Sequence, residues 1–273
     1  MKKVILISGG SSGIGCEAAR QLAGKGHKVY AAARRLEKLE PLREFGIVPL
    51  RLDVTDEESA RECVQAVLDA EGRLDVLVNN AGYGSLGPIE CVSMEEARRQ
   101  MDTNLFGAAV LSRLAIPVMR AQKSGRIINI TSVAGRVPVL FGGWYNVSKY
   151  ALEALGDTMR IDLKGFGIDV VTIEPSGIKT PWGEIAAQNL ENCTAGTCYE
   201  ASGMREAAFF RKGYSGNIMS PPSVVARAIV RAGCSRRPRT RYRPGTGASA
   251  LIGLHAILPT RWWDSLARLL GKA

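Results

Sequence analysis

Lys3-Val4-Ile5-Leu6-Ile7-Ser8-Gly9-Gly10-Ser11-Ser12-Gly13-Ile14-Gly15 is the stretch whose reading decides the fold. Lys3 to Ser8 is a short apolar run, and the glycine-rich turn follows it without a gap. Ile14, Ala18, Ala19, Leu22 and Ala23 then recur at helical spacing. Strand, glycine turn and helix in that order form a phosphate cradle. Glycines let backbone approach a pyrophosphate, and the free N–H groups and dipole at the helix start favour the anion. The spacing is Gly-x-x-x-Gly-x-Gly, which separates it from the commoner Gly-x-Gly-x-x-Gly fingerprint.

Working outward, apolar runs alternate with helical patterns along the whole chain. Strands are expected around residues 4–8, 28–33, 47–52, 74–79, 126–131, 168–174 and 238–243, with helices between them. That alternation demands a mostly parallel seven-stranded sheet with right-handed crossovers, a doubly wound α/β fold. At 273 residues, with no linker, repeat or low-complexity tract, the chain reads as one domain over residues 1–273. In such sheets ligands bind at the carboxyl ends of the strands, beside the topological switch point.

A second constellation lies mid-chain. Tyr145 and Lys149 stand four residues apart in Trp144-Tyr145-Asn146-Val147-Ser148-Lys149, so a helix puts phenol and ammonium on one face. A cation beside the phenol is expected to lower its pKa toward the working pH, where acid-base catalysis is most effective. Ser132 ends the apolar strand 126–131 and delivers a hydroxyl at its C-terminal end. Carbonyl reduction, or its reverse, is the use that such a set suggests.

These residues, with Asp53-Val54, Asn79-Asn80-Ala81-Gly82, Asn104 in Asp102-Thr103-Asn104-Leu105-Phe106-Gly107, and Pro175 to Thr180, resemble the short-chain dehydrogenase/reductase family over roughly residues 1–245. Tyr83-Gly84 and the arginine-tyrosine strand near the end look most like its hydroxysteroid and retinol dehydrogenase-like branch. The resemblance implies that Tyr145 exchanges a proton with the substrate oxygen while hydride passes to or from a nicotinamide. It implies that Lys149 acidifies Tyr145 and bonds the nicotinamide ribose, that Ser132 donates to the substrate oxygen, and that Asn104 holds a water linking Lys149 to solvent. Cofactor contacts would come from Gly9, Ser11, Ser12, Gly13, Ile14 and Gly15 in the turn, from Asn80, Ala81 and Gly82, and from Tyr145 and Lys149. Asp53 would bond the adenine amino group and Val54 pack its ring. Pro175, Gly177, Ile178 and Thr180 match the Pro-Gly-x-x-x-Thr motif that contacts the carboxamide, with Ser176 in place of its glycine. Asn79 reads as architectural, satisfying backbone at a strand end.

Nucleotide choice hangs on the end of the second strand, His27 to Ala33. Where an NAD site places an acid for the ribose 2′-OH stand Arg34 and Arg35, whose guanidinium groups suit the 2′-phosphate, so NADP(H) is expected over NAD(H). Ser12 pulls the other way, since many NADP-preferring relatives carry a second basic residue there.

Residues 181–218 carry Trp182, Tyr199, Met204, Phe209, Phe210 and Tyr214, and a segment this long reads as a substrate lid. Rings over the nicotinamide favour a lipophilic substrate, such as a hydroxysteroid or retinoid; a keto group on an acyl lipid or acyl carrier is the alternative. A reading from another class is a regulatory protein that binds dinucleotide and docks to a membrane. The net charge of +10 is C-terminal in origin: from Arg205 onward thirteen Lys and Arg face two acidic residues. Residues 246–273 form an amphipathic extension with Trp262, Trp263, Leu266, Leu269 and Leu270. It suits packing on the substrate cavity, a subunit interface or a membrane surface. The charge alone does not make a nucleic-acid site, because no recognition module accompanies it.

The first strand begins at once after Met1-Lys2-Lys3, leaving no room for a signal peptide, and no apolar stretch is long enough to span a bilayer, so a cytoplasmic protein is expected. The six cysteines are expected to be reduced. Cys193 and Cys198 flank a polar loop and could pair, but with His27 and His255 far away no metal is expected. By resemblance, helices around 94–121 and 146–164 would mediate a homodimer or homotetramer.

Overall fold

The computed structural model describes residues 2–215 and 219–270. Along the chain run β1 (Val4–Ser8), α1 (Gly13–Ala23), β2 (Lys28–Ala33), β3 (Val48–Arg51), α2 (Glu57–Glu71) and β4 (Val76–Asn79). Next come α3 (Met94–Met101), α4 (Gly107–Ala121), β5 (Gly125–Ile130), α5 (Gly143–Asp162) and β6 (Ile168–Ile173). The last part holds α6 (Trp182–Thr194), α7 (Glu200–Ser215), α8 (Pro222–Cys234), β7 (Arg241–Tyr242), α9 (Ala248–Ile257) and α10 (Thr260–Leu270).

The strands form one seven-stranded sheet in the order β3-β2-β1-β4-β5-β6-β7, and every neighbouring pair is parallel. The expected Rossmann-type fold is therefore present. Strands β1, β4 and β5 are buried along their length because helices cover both faces, which is why they read as continuous apolar runs. On one face Ile5, Ile7, Val78 and Ile128 meet Ala18, Leu22 and Ile229 of α1 and α8. On the other, Leu6, Leu77 and Ile127 meet Val64, Val67, Leu111 and Met159 of α2, α4 and α5.

Polar side chains inside this core tie its elements together. Asn79 Nδ2 donates to Asn129 Oδ1 at 2.9 Å and to Ser112 Oγ at 3.0 Å, clamping β4, β5 and α4, so the asparagine expected to be architectural lies at the centre of the sheet. Arg126 crosses from β5 to donate to the carbonyls of Ala232, Gly233 and Ser235, placing a cation at the C-terminus of α8 where the dipole favours it.

β7 is shorter than the expected 238–243. Beyond its two paired residues the segment hangs on backbone bonds from Thr172, Glu174 and Ser176 to Thr240, Tyr242 and Pro244. Two of its arginines also turn inward. Arg241 and Arg243 bind the two oxygens of fully buried Glu174, and Arg241 reaches Glu153 and Asp157 as well. These two charges of the basic C-terminal part are thus paired with carboxylates within the fold. Among the described residues no helix is long and apolar enough to cross a membrane.

Candidate active site

At the switch point the chain reverses its winding between β1 and β4, and a cavity of about 710 Å³ opens at the carboxyl ends of the strands. The glycine turn forms one end. Gly9 has φ +67°, and a Cβ there would stand 2.9 Å from Ala81 Cα, so turn and β4 end touch backbone to backbone. Asn80 fixes that contact by donating to the carbonyls of Ser8 and Gly9 at 3.0 and 3.1 Å. Ser11, Ser12, Gly13 and Ile14 line the cavity where α1 begins, and the first-turn N–H groups of that helix have no partner within it. Gly15 lies beneath the turn rather than on the wall: a Cβ there would strike Gly9 O at 2.4 Å. Its glycine is a packing requirement.

Arg34 and Arg35 follow β2 onto the cavity rim, exposed, and neither is in an ion pair among the described residues. Asp53 and Val54 lie nearby after β3, with Asp53 Oδ1 accepting from Thr55 N and Oγ1. Ala81 and Gly82 continue the wall toward the middle of the cavity.

The reactive side chains meet at the end of β5. Ser132 caps a short turn by accepting from Ala134 N at 3.1 Å, and its hydroxyl lies beside the Tyr145 phenol. The first turn of α5 holds Tyr145, and Asn146 pins that turn by donating to Ala134 O and Val137 O. Lys149 follows one turn later, its Nζ 5.9 Å from the Tyr145 ring centre and 3.1 Å from Ile130 O.

Electrostatics here differ from the reading of the spacing alone. Tyr145 and Lys149 are both buried, and burial penalises the charged form of each. The phenol is pushed up to about 12, eased only by its bond to Ser132, while the ammonium is brought down to about 8 against the pull of Glu153. Burial thus dominates the resting phenol, which keeps its proton at neutral pH.

Asn104 lies behind the cavity wall, not on it. It sits in a π-helical turn, Asp102–Phe106, and its amide bonds Tyr83 N, Tyr83 O and Ser148 Oγ. Its side chain is thus occupied in holding the loop after β4 against α5.

Pro175, Gly177, Ile178 and Thr180 line the cavity after β6. Ser176, the departure from the motif, donates its hydroxyl to Thr246 O at 2.9 Å and its N–H to Pro244 O, so it ties this loop to the start of the C-terminal extension. Gly13 and Thr180 face each other across the turn.

Helices α6 and α7 pack as a hairpin over the cavity, within the expected lid. Trp182 stands 5.2 Å from Tyr145 between ring centres and contacts Phe210 and Tyr214. Phe209 lines the same space, but Met204 is exposed and Tyr199 points away to donate to Glu90, so those two leave the aromatic set. Cys193 is directed at Leu86 O and Cys198 is exposed; both are free thiols, and the pairing alternative is not realised. From the extension, Trp263 is buried, donates to Pro138 O at 3.2 Å and lines the cavity with Leu251 and Ala267, while Trp262 and Leu269 face outward. The extension is thus at least a cavity wall. Leu270 is described by its backbone alone, and residues 271–273 lie outside the described residues.

One cavity residue escaped the sequence reading. Glu206 is buried on α7, lines the cavity and leaves Oε2 without a hydrogen-bond partner. Its spacing to Phe209 and Phe210, three and four residues on, was the available signal.

Residues 3–190 match the family model for short chain dehydrogenase. The chain is 34% identical over 265 residues to a probable short-chain type dehydrogenase/reductase, VdlC, of Helicobacter pylori, covering 97% of this chain and 96% of that one. It is 35% identical over 273 residues to human retinol dehydrogenase 8, covering 93% and 85%. Among solved structures, a variant of actinorhodin polyketide ketoreductase with NADPH matches with a TM-score of 0.74 at 27% identity, covering 89% of this chain and 95% of that one.

Proposed function

This chain belongs to the short-chain dehydrogenase/reductase family, and we propose that it is an NADP(H)-dependent oxidoreductase that interconverts a carbonyl and an alcohol on a lipophilic substrate. As a member of the family it is an oxidoreductase that works with a nicotinamide dinucleotide. The observation that carries the finer reading is a single cavity. It places the Ser132–Tyr145 hydroxyl pair beneath an aromatic roof and the unpaired Arg34 and Arg35 at the opposite end.

The residues fit the nucleotide. A cradle of glycine backbone, the open N-terminus of α1 and two free guanidinium groups suit a pyrophosphate and a 2′-phosphate, and Asp53 with Val54 suits adenine. When bound, the nicotinamide supplies or accepts the hydride. Tyr145, protonated at neutral pH, is the group that gives its proton to the substrate oxygen in reduction. Ser132 donates to the same oxygen, holds it in line with the phenol and stabilises charge as it develops there. Lys149 holds a positive charge close to the phenol, so the phenolate formed on proton transfer meets a cation that the resting phenol does not need. Trp182 and the lid exclude water above the pair.

Lipophilic substrates are favoured by the lining of Leu86, Val139, Trp182, Ile185, Phe210 and Trp263. The retinol dehydrogenase relative points the same way. The test is oxidation of NADPH with a panel of steroid, retinoid and acyl-chain ketones. Turnover is expected with the lipophilic members; in Tyr145→Phe it is lost while NADPH binding persists. Full activity in that variant would overturn the proton-donor assignment.

A further inference from the structure

We propose that Glu206 is a specificity residue whose carboxyl receives a hydrogen-bond donor, a hydroxyl or an amine, carried by the substrate at the end remote from its reacting carbonyl. The proposal deepens the function given above and rests on that reading of the cavity.

Glu206 is 6% exposed, lines the cavity and leaves Oε2 with no partner. Buried carboxyl oxygens are almost always bonded, and one left unmade is costly, so a leucine here would give a more stable helix hairpin. No nearby cation compensates it: burial alone pushes the group up to about 7. Phe209 and Phe210, three and four residues on, line the same cavity. A group that weakens the fold and faces the substrate space is explained by a ligand that pairs with it.

Helix α7 also supplies the ruler. Glu206 and Tyr214 lie eight residues apart, about 12 Å along the axis. Tyr214 packs on Trp182, which packs on Tyr145, so the Tyr214 end marks the reacting carbonyl and Glu206 the far end. Phe210, four residues from Glu206, packs on Trp182 as well, so a molecule that satisfies both ends is elongated, with a carbonyl at one end and a hydroxyl or amine between about 6 and 12 Å away.

The experiment uses three matched ligands: a long-chain methyl ketone, the same ketone with a terminal hydroxyl, and the same ketone with a terminal amine. Their chain length is graded around the spacing above. KM and kcat are measured with NADPH for the wild-type protein, Glu206→Gln and Glu206→Leu. We expect the wild type to favour one donor-bearing ketone through KM by roughly tenfold or more. Glu206→Leu should erase that preference. Glu206→Gln, which keeps the shape and an accepting oxygen, should retain a preference for the hydroxyl and lose one for the amine. A wild type that does not discriminate, or discrimination that survives in Glu206→Leu, overturns the proposal. Ligand binding to the NADP⁺-loaded protein, read by tryptophan fluorescence, separates the two readings. A Glu206-dependent preference with no turnover of any ketone supports this site and overturns the reductase reading. Turnover with no such preference does the reverse.

Discussion

The indole of Trp182 lies 5.2 Å from the phenol ring of Tyr145, inclined to it by 53°, so the first residue of α6 touches the residue at the centre of the proposed chemistry. Tyr214 and Phe210 extend the contact from the second lid helix. Closure of the lid and positioning of the phenol are therefore one packing event.

Trp182→Ala removes the indole that joins the two. For a lipophilic ketone KM is expected to rise by on the order of ten- to a hundredfold, the loss of one buried aromatic contact, with a smaller fall in kcat. Steady-state kinetics with NADPH checks it. A fall confined to kcat would mean that the ring serves only to orient Tyr145.

Among the described residues no carboxylate holds Arg34 or Arg35, which leaves both available to a phosphate. Replacing both with alanine is expected to weaken NADPH by roughly ten- to a hundredfold, as for loss of charged hydrogen bonds, and to leave NADH nearly unchanged. Equilibrium titration of both nucleotides measures the ratio. Equal loss for the two would assign the arginines to general electrostatics.

Lys149 gives a pH-dependent prediction. Its folded pKa of about 8 lies below the ordinary lysine value of 10.5, so at neutral pH the folded protein bears the cost of a buried charge. That cost is full below pH 8 and disappears as pH rises toward 10.5, where both folded and unfolded states are neutral. Lys149→Met is thus expected to be more stable than the wild type at pH 7 by about 2 kcal/mol, after allowance for the lost bond to Ile130, and to lose most of that advantage at pH 10. Urea unfolding at the two pH values decides it, and a methionine variant less stable at pH 7 would refute it.

Ser176→Gly restores the family's usual residue and deletes the hydroxyl that holds Thr246. The expected result is a modest loss of stability, about 1 kcal/mol, with Trp263 fluorescence shifting red as the extension loosens from Pro138. Unchanged emission would show that the extension is held by its own apolar contacts.

Much of the fold was legible because a parallel sheet covered on both faces makes strands that are apolar throughout, and β1, β2, β5 and β6 fall close to where their runs predict them. β7 was placed inside its expected range, but not its length, because only Arg241 and Tyr242 pair with β6 and its sequence is mostly arginine rather than apolar. The site residues were legible by spacing, but spacing states proximity and says nothing of dielectric. That is why the effect of burial on Tyr145 was not legible. Glu206 was missed because a glutamate on a helix ordinarily faces water, and only the packing of α7 over the cavity turns it inward. Arg241 and Arg243 read as surface charge for the converse reason: their partners Glu153, Asp157 and Glu174 are far away along the chain.

The portion that matches the family model stops at residue 190, yet Glu206, Phe210, Tyr214, Leu251 and Trp263 all come after it and all face the cavity. Part of the cavity wall is thus written outside the stretch that the family model describes. Descendants of one ancestor could trade away their molecular diet by altering the last third while leaving the hydride machinery untouched, so kinship through the first two thirds is a guide to what is done and a poor guide to whom it is done.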